Sequence, residues 1–155
     1  MREILFRGKR TGNEKWICGH LLEQNIPDCH SYIVMSIIAE LDNRHIEIMD
    51  FDINEVIPET VGQYTGLTDK NGVKIFEGDI VKGIAYSVER IGVIVWIDEI
   101  ASFGVRYFKS VNSTTWENSS ILRCASMGKT DEFAAEIIGN IHDNPEILKG
   151  GGDNA

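Results

Sequence analysis

Carboxylates, thiols and imidazoles are the groups in this 155-residue chain with chemistry to offer. Glu77 and Asp79 flank Gly78, and Asp98 stands next to Glu99. Paired carboxylates share a proton or hold a divalent cation when burial brings them together. A divalent-metal hydrolase using Glu77 and Asp79 is therefore one function the sequence permits. Both pairs nevertheless lie where sharp turns are expected, and acids at turns serve as acceptors for backbone N–H groups. Asp69-Lys70-Asn71-Gly72 opens like a calcium loop. Such a loop continues with further oxygen ligands and a late bidentate Glu between helices. Here Lys74 stands at a ligand position and a strand-like run follows, so a hairpin turn is expected. Gly62, Gly66 and Gly72 miss the spacing of a phosphate-binding loop, and no helix N-terminus follows to receive an anion.

Cys18, Cys29 and Cys124 can in principle meet His20, His30, His45 or His142 as nucleophile and base. Cys18 and His20 sit at i and i+2, on one face of a strand, as a small apolar residue and a polar neighbour also would. A metal set of Cys18, His20, Cys29 and His30 has irregular spacing, and no third, orienting group is visible. No catalytic residue, metal ligand or cofactor is assigned.

Composition narrows the classes further. Hydrophobic content of 43% and charged content of 25% are those of an ordinary globular protein, and the length suffices for a real core. Three cysteines without C-x-x-C spacing argue against a disulfide framework and for a reducing cytoplasm. MREILFRGKR is too charged for a secretory apolar region, and no apolar run reaches membrane-spanning length. The net charge of −9 argues against direct nucleic-acid binding, because a phosphate backbone is repelled. The charge is uneven. Residues 40–59 carry seven acids against Arg44, and residues 1–15 carry five bases and two acids. Solvated strand faces explain this; the sharper alternative is that the basic and acidic ends meet, within a subunit or between subunits. The strand bearing Arg2, Arg7, Lys9 and Arg10 is expected to pair edge to edge in a homo-oligomer.

The elements that must position these groups are strands. EILFRGKR and KWICGHLL are separated by Thr11-Gly12-Asn13-Glu14, a hairpin signal, and SYIVMSII reads as a buried strand. A turn is expected at Leu41-Asp42-Asn43-Arg44. HIEIM then alternates at Ile46 and Ile48, but Met49, Phe51 and Ile53 form the next apolar set. A one-residue slip reverses the faces, so a bulge or break is expected near Met49 or Asp50. VKIF returns from the Asn-Gly turn, and GDIVKG enters another strand after Glu77-Gly78. RIGVIVWID is apolar on both faces, which predicts a central strand with a second layer packed on Trp96. SFGVRYF follows, then a polar loop, STTWENSS, carrying Trp116, then strands at ILRCAS and in the later half of FAAEIIGNI. HDNPEILKG closes with a short helix capped by Asn144, and GGDNA is a disordered tail.

Gly-Asp-Ile-Val followed by two more strands resembles the opening of an SH3-like barrel. MREILFRGKR with Trp16 and Gly19, then PETVGQYTGLTDKNGVKIFEGDIVK, then EIIGNIHDNPEIL, in that order, resemble the YopX-like family of phage and prophage proteins. The resemblance spans essentially the whole chain; Leu22–Asp52 and residues 109–131 match least. It implies a mostly β protein with an SH3-type component, carried in a bacterial host cytoplasm. It implies no activity, and no family site residue transfers.

The expected fold is all-β: an N-terminal β-hairpin sheet region (residues 1–58) packed with a C-terminal SH3-like small barrel (59–149) with closing strand and short helix, then a tail (150–155). The expected function is a non-enzymatic accessory protein that binds a protein partner from host or phage, with homo-oligomer formation possible and no membrane contact. Alternatives are the metal hydrolase and a nucleic-acid-related module or acidic mimic acting on a DNA-binding host protein. SH3-like barrels bind through aromatics at strand edges and loops. That makes Tyr64, Trp96, Tyr107 and Trp116 the candidate binding residues, with core packing the competing role for Trp96.

Overall fold

The computed structural model describes residues 3–23, 30–42, 45–85, 88–108, 116–120 and 135–148. Among them every regular element is a strand or a short 3-10 turn, and no helix is long and apolar enough to cross a membrane. The chain divides into two compact units, Met1–Tyr64 and Thr65–Ala155, and the division falls inside a strand.

The first unit holds β1 (Phe6–Lys9), β2 (Trp16–Glu23), β3 (Ser31–Asp42), β4 (His45–Val56) and the start of β5 (Gly62–Thr68). With β6 (Lys74–Phe76), the strand order of this sheet is β4-β3-β2-β1-β5-β6. The expected first hairpin forms, with Lys9 opposite Trp16 and the Arg10 amide donating to the Lys15 carbonyl at 3.1 Å. Strands β3 and β4 pair as far as Asp42 and His45, so residues 41 and 42 of the expected turn are strand; residues 43 and 44 lie outside the described set. The phase slip at Met49 has a direct counterpart. Ile38 faces Asp50 and Ala39 faces Ile48, leaving Met49 as the extra residue of a bulge. A second extra residue, Met35, sits between the Val34–Ile53 and Ser36–Asp52 pairs. Its strand is apolar on both sides, so no change of phase announces it.

This sheet curls. The Thr11 amide donates to the Glu55 carbonyl at 3.2 Å, and the Ile57 amide to the Lys9 carbonyl at 2.8 Å. A single bridge, Arg10 to Val56, joins the end of β1 to the end of β4. Ile17, Ile33 and Val56 fill the inside of the curl, with Val61 against them. The end of the basic stretch thus lies beside the end of the acidic one, joined by backbone and polar side-chain contacts. The Arg10 guanidinium donates to Asn54 Oδ1, the Thr11 hydroxyl to Glu55 Oε2, and the His30 ring pairs with Glu55. The edge-to-edge role expected for β1 does not fit this topology. β1 is an interior strand, flanked by β2 and β5, with no free edge to offer a partner.

The second unit holds the rest of β5, β6, β7 (Asp79–Ala85), β8 (Val88–Ile97), β9 (Ser102–Phe108), β10 (Trp116–Ser120) and β11 (Glu136–Asn140). Its five-stranded sheet has the order β10-β9-β8-β7-β11, antiparallel throughout. β10 and β11 are its edges, so among the described residues the expected barrel closure is not seen. Ile75, Val81, Ile94, Phe103, Val105 and Tyr107 form the core of this unit. β8 is central, as its two apolar faces require: Ile94 is buried on one, and Val93 and Ile97 on the other.

Three local expectations are corrected. The loop expected around Trp116 is in part strand, because residues 116–120 pair with β9 from Trp116–Phe108 to Ser120–Gly104. A ladder partner overrides the weak strand propensity of Glu, Asn and Ser. The closing helix is a 3-10 turn, Pro145–Leu148. Asn144 Oδ1 turns back to accept the Asn140 amide, and Asn140 Oδ1 accepts the amides of His142 and Asp143, which makes a tight turn. The strand expected at 121–126 and the tail lie outside the described residues.

Gly92 is a tight point in the core of the second unit. A β-carbon there would lie 2.6 Å from Val105 Cγ1, 2.7 Å from Tyr107 Cδ1 and 2.9 Å from the Arg106 carbonyl oxygen. Gly92→Ala should therefore destabilise the protein by about 1–3 kcal/mol through overpacking, read as a lower thermal midpoint. An unchanged midpoint would show that the Tyr107 ring can move aside at no cost.

Candidate functional site

The turn after β5 is built around one carboxylate. Asp69 is only 1% exposed. Its Oδ1 accepts the amides of Asn71 (2.8 Å) and Val73 (3.0 Å), and its Oδ2 accepts the amide of Ile137 at 3.2 Å. The Gly72 amide closes the turn onto the Asp69 carbonyl at 2.9 Å, with Gly72 at φ +80°, where glycine carries no steric penalty. Burial alone pushes the Asp69 carboxyl up, but the amides of Val73, Ile137 and Asn71 outweigh it and hold the group below its ordinary value of 3.8. Lys70 extends the grip: its amide donates to the Ala135 carbonyl at 3.1 Å and its Nζ lies 2.6 Å from Glu136 Oε2. The carboxylate is turned to donors of its own chain, three backbone amides and the Asn71 side chain. The stretch is a scaffold turn that seats the start of β11.

The Glu77-Gly78-Asp79 turn follows the same rule. Asp79, equally buried, accepts the Phe76 amide at 2.8 Å, and Glu77 accepts the Trp96 amide at 3.4 Å. Gly78 has φ +83°, donates to the Ile94 carbonyl and accepts from the Ile141 amide, both at 2.9 Å. The two carboxylates are turned to backbone on opposite sides of the glycine, which is the turn-forming role the sequence favoured.

One surface gathers around this turn. Trp96, near the end of β8, is 41% exposed and meets Phe103 edge-to-face with ring centroids 5.1 Å apart. It is the rim of the core, not its centre: Phe103 is its cross-strand neighbour in the same sheet, and among the described residues the second layer expected over Trp96 is not seen. Ile100 on the next 3-10 turn and Ile141 beside Gly78 are also exposed apolar residues. Exposed Asp98 and Glu99, with half-buried Glu77, set acids beside this apolar corner.

The four aromatic candidates therefore separate. Tyr64 and Tyr107 are buried, Tyr107 within the core of the second unit. Trp116 has its backbone in β10 and its side chain outside the described set. Trp96 alone of the four is a described, exposed ring. Cys18 is exposed, and Cys29 and Cys124 lie outside the described residues. Among the described residues no three His, Cys, Asp or Glu side chains come together in a metal-holding group. A further arrangement escaped the sequence reading: the Arg7 guanidinium lies 4.7 Å from the Trp16 ring centroid, and Lys9 Nζ 5.5 Å. Arg7 and Lys9 at i and i+2 on β1, with the short hairpin placing Lys9 opposite Trp16, were the available signal.

Asp69→Asn should remove the charge and put an amide nitrogen opposite the Ile137 N–H. A loss of about 1–3 kcal/mol is expected from the unmet donor. Because the folded pKa is depressed, Asp69 contributes its stability above the unfolded value and loses it as pH falls through the folded one. Melting midpoints of wild type and Asp69→Asn should thus converge as pH drops below that range. A constant gap down to acid pH would mean that shape, and not charge, holds the turn.

Comparison with known proteins bears on the fold and the lineage. The crystal structure of protein EF1440 from Enterococcus faecalis resembles this chain with a TM-score of 0.55 and 24% identity, covering 96% of this chain and 99% of that one. The likeness is one of fold. No curated protein matches the chain at a significant level. The model of the YopX protein family matches residues 5–149, which contain both sheets, both buried aspartate turns and the Trp96 corner. This chain belongs to the YopX protein family.

Proposed function

We propose that this protein is a non-enzymatic accessory module, carried by phage or prophage, that binds a protein partner through the corner around Trp96. The observation that carries the proposal is a tryptophan 41% exposed, four residues before exposed Ile100. Exposed tryptophans anchored on a rigid base are the residues that dominate binding energy at protein interfaces. Phe103, buried in the core, supplies that base. The surrounding Glu77, Asp98 and Glu99 favour a partner segment with an apolar anchor and basic flanks. The SH3-like view of residues 59–149 is supported by the β7-β8-β9 meander entered from a Gly-Asp turn, a shape that leaves strand ends free for peptide contacts.

The rival metal hydrolase loses support from donor geometry, since Asp79 and Glu77 accept the amides of Phe76 and Trp96. The acidic-mimic reading draws on the net charge of −9 and differs in what it would capture.

The experiment is affinity purification from the infected host, with wild type and Trp96→Ala in parallel. Wild type should retain a partner that Trp96→Ala retains at least tenfold less, while both proteins melt alike. Equal retention would sink the Trp96 corner as the site; recovery of a DNA-binding enzyme independent of Trp96 would favour the mimic. Calorimetric titration with magnesium or manganese separates the hydrolase: no sub-millimolar site is expected, and one lost in Asp79→Asn would revive it.

A further inference from the structure

Of the ten asparagines in the sequence, only Asn71 stands before a glycine. An asparagine side chain is an amide that its own backbone can attack. The nitrogen of the following residue loses its proton and adds to the side-chain carbonyl carbon, Cγ. A nitrogen–carbon bond forms, the Cγ–Nδ2 bond breaks, and Nδ2 leaves as ammonia, which closes a succinimide ring. Water then opens the ring at either carbonyl and leaves a carboxylate. Opening at the side-chain carbonyl gives an aspartyl residue; opening at the main-chain carbonyl gives an isoaspartyl residue, with an extra carbon in the backbone. The sum is amide and water to acid and ammonia, with no oxidant or cofactor. Glycine obstructs the attack least, because it has no Cβ.

The turn is open to this reaction. Asn71 and Gly72 are both exposed, and a β-carbon on Gly72 would meet no atom within 4 Å. What holds the reaction back is Asp69, which engages both reacting groups. Its carbonyl accepts the Gly72 amide at 2.9 Å, and that proton is the one that must leave. Its carboxylate accepts the Asn71 side chain, the group to be attacked, as well as the Asn71 backbone amide at 2.8 Å. The same anion also stands beside the nitrogen that must become negative, and neighbouring like charges disfavour each other. The hold is tied to a distant strand. Asp69 Oδ2 accepts the Ile137 amide, and the Lys70 amide donates to Ala135, so release of the turn loosens the start of β11.

We propose that the Asn71–Gly72 step is a covalent modification site that records opening of this turn: it is spared while Asp69 holds it and deamidates through the succinimide when Asp69 lets go. The change is one-way. A carboxylate at position 71 removes the donor that faced Asp69 and puts a second anion in its place, so the turn closes less well afterwards. The Trp96 corner plays no part in it.

The test follows residue 71 by peptide mass and isoaspartyl content at mildly alkaline pH, in folded protein and in the same protein unfolded in urea. The unfolded chain should be modified roughly tenfold faster or more, since only locally opened molecules of the folded protein react. Equal rates, or no modification at residue 71 in either, overturn the proposal. Folded Asp69→Asn should be modified faster than folded wild type, and an unchanged rate overturns it. Because that variant also loosens the fold, the unaltered chain gives a second readout. As urea is raised below the unfolding midpoint, modification should climb in step with hydrogen exchange of the Gly72 amide. A rate that stays flat while this amide exchanges faster sinks the idea. Asn71→Asp, which carries the side chain of the aspartyl product, should melt about 2–4 °C lower than wild type. An unchanged midpoint overturns the one-way character of the step.

Discussion

A single buried carboxylate, Asp69, ties the second unit together. It holds two amides of its own turn and one from a residue 68 positions later. Each unmet buried donor would cost about 1–3 kcal/mol, so replacing this anion with anything less accepting opens the turn and the start of β11 together. From there β11 lies along β7, and Ile141 bonds back to Gly78. Asp79 repeats the device one turn later on a smaller scale. In both places glycine supplies a left-handed φ and an aspartate supplies the acceptor, which is why a stretch that looks like ligand chemistry is architecture.

Much of this was legible before any coordinates. The turn at 69–72 is set by local residue types, Asp and Asn-Gly, and local types are what a sequence displays. The Met49 bulge was visible because it interrupts an alternating pattern; the Met35 bulge was not, because Ile33, Val34, Ile37 and Ile38 give the pattern no polar mark to interrupt. What the sequence could not carry was pairing at long range. That Asp69 would meet Ile137, that β1 would be interior, and that WENSS would be drawn into a ladder with β9 all depend on contacts between distant segments. The site was half legible for the same reason. Trp96 stands out as an aromatic in an apolar strand, but whether such a ring is core or rim is decided by what lies above it.

Charge and apolar surface are separated in this protein in a way composition conceals. The basic residues of β1 are occupied inside the first unit, Arg10 by Asn54, and Arg7 and Lys9 over the Trp16 ring. Acids stand exposed near the Trp96 corner, at Asp98 and Glu99. With these cations engaged, the net negative charge of the chain presents a field that discourages polyanions.

The late arrival of β11 has a consequence for how the chain is made. β7, β8 and β9 are contiguous in sequence and can pair as soon as they emerge from the ribosome, but β7 keeps an open edge until Glu136–Asn140 follow. During that interval Asp69 lacks its third amide and a strand carrying Ile80 and Val81 offers unpaired backbone to any neighbour. Nascent chains that stall, or products clipped before residue 135, are thus not shortened versions of the fold but sticky ones, ready to recruit each other edge to edge.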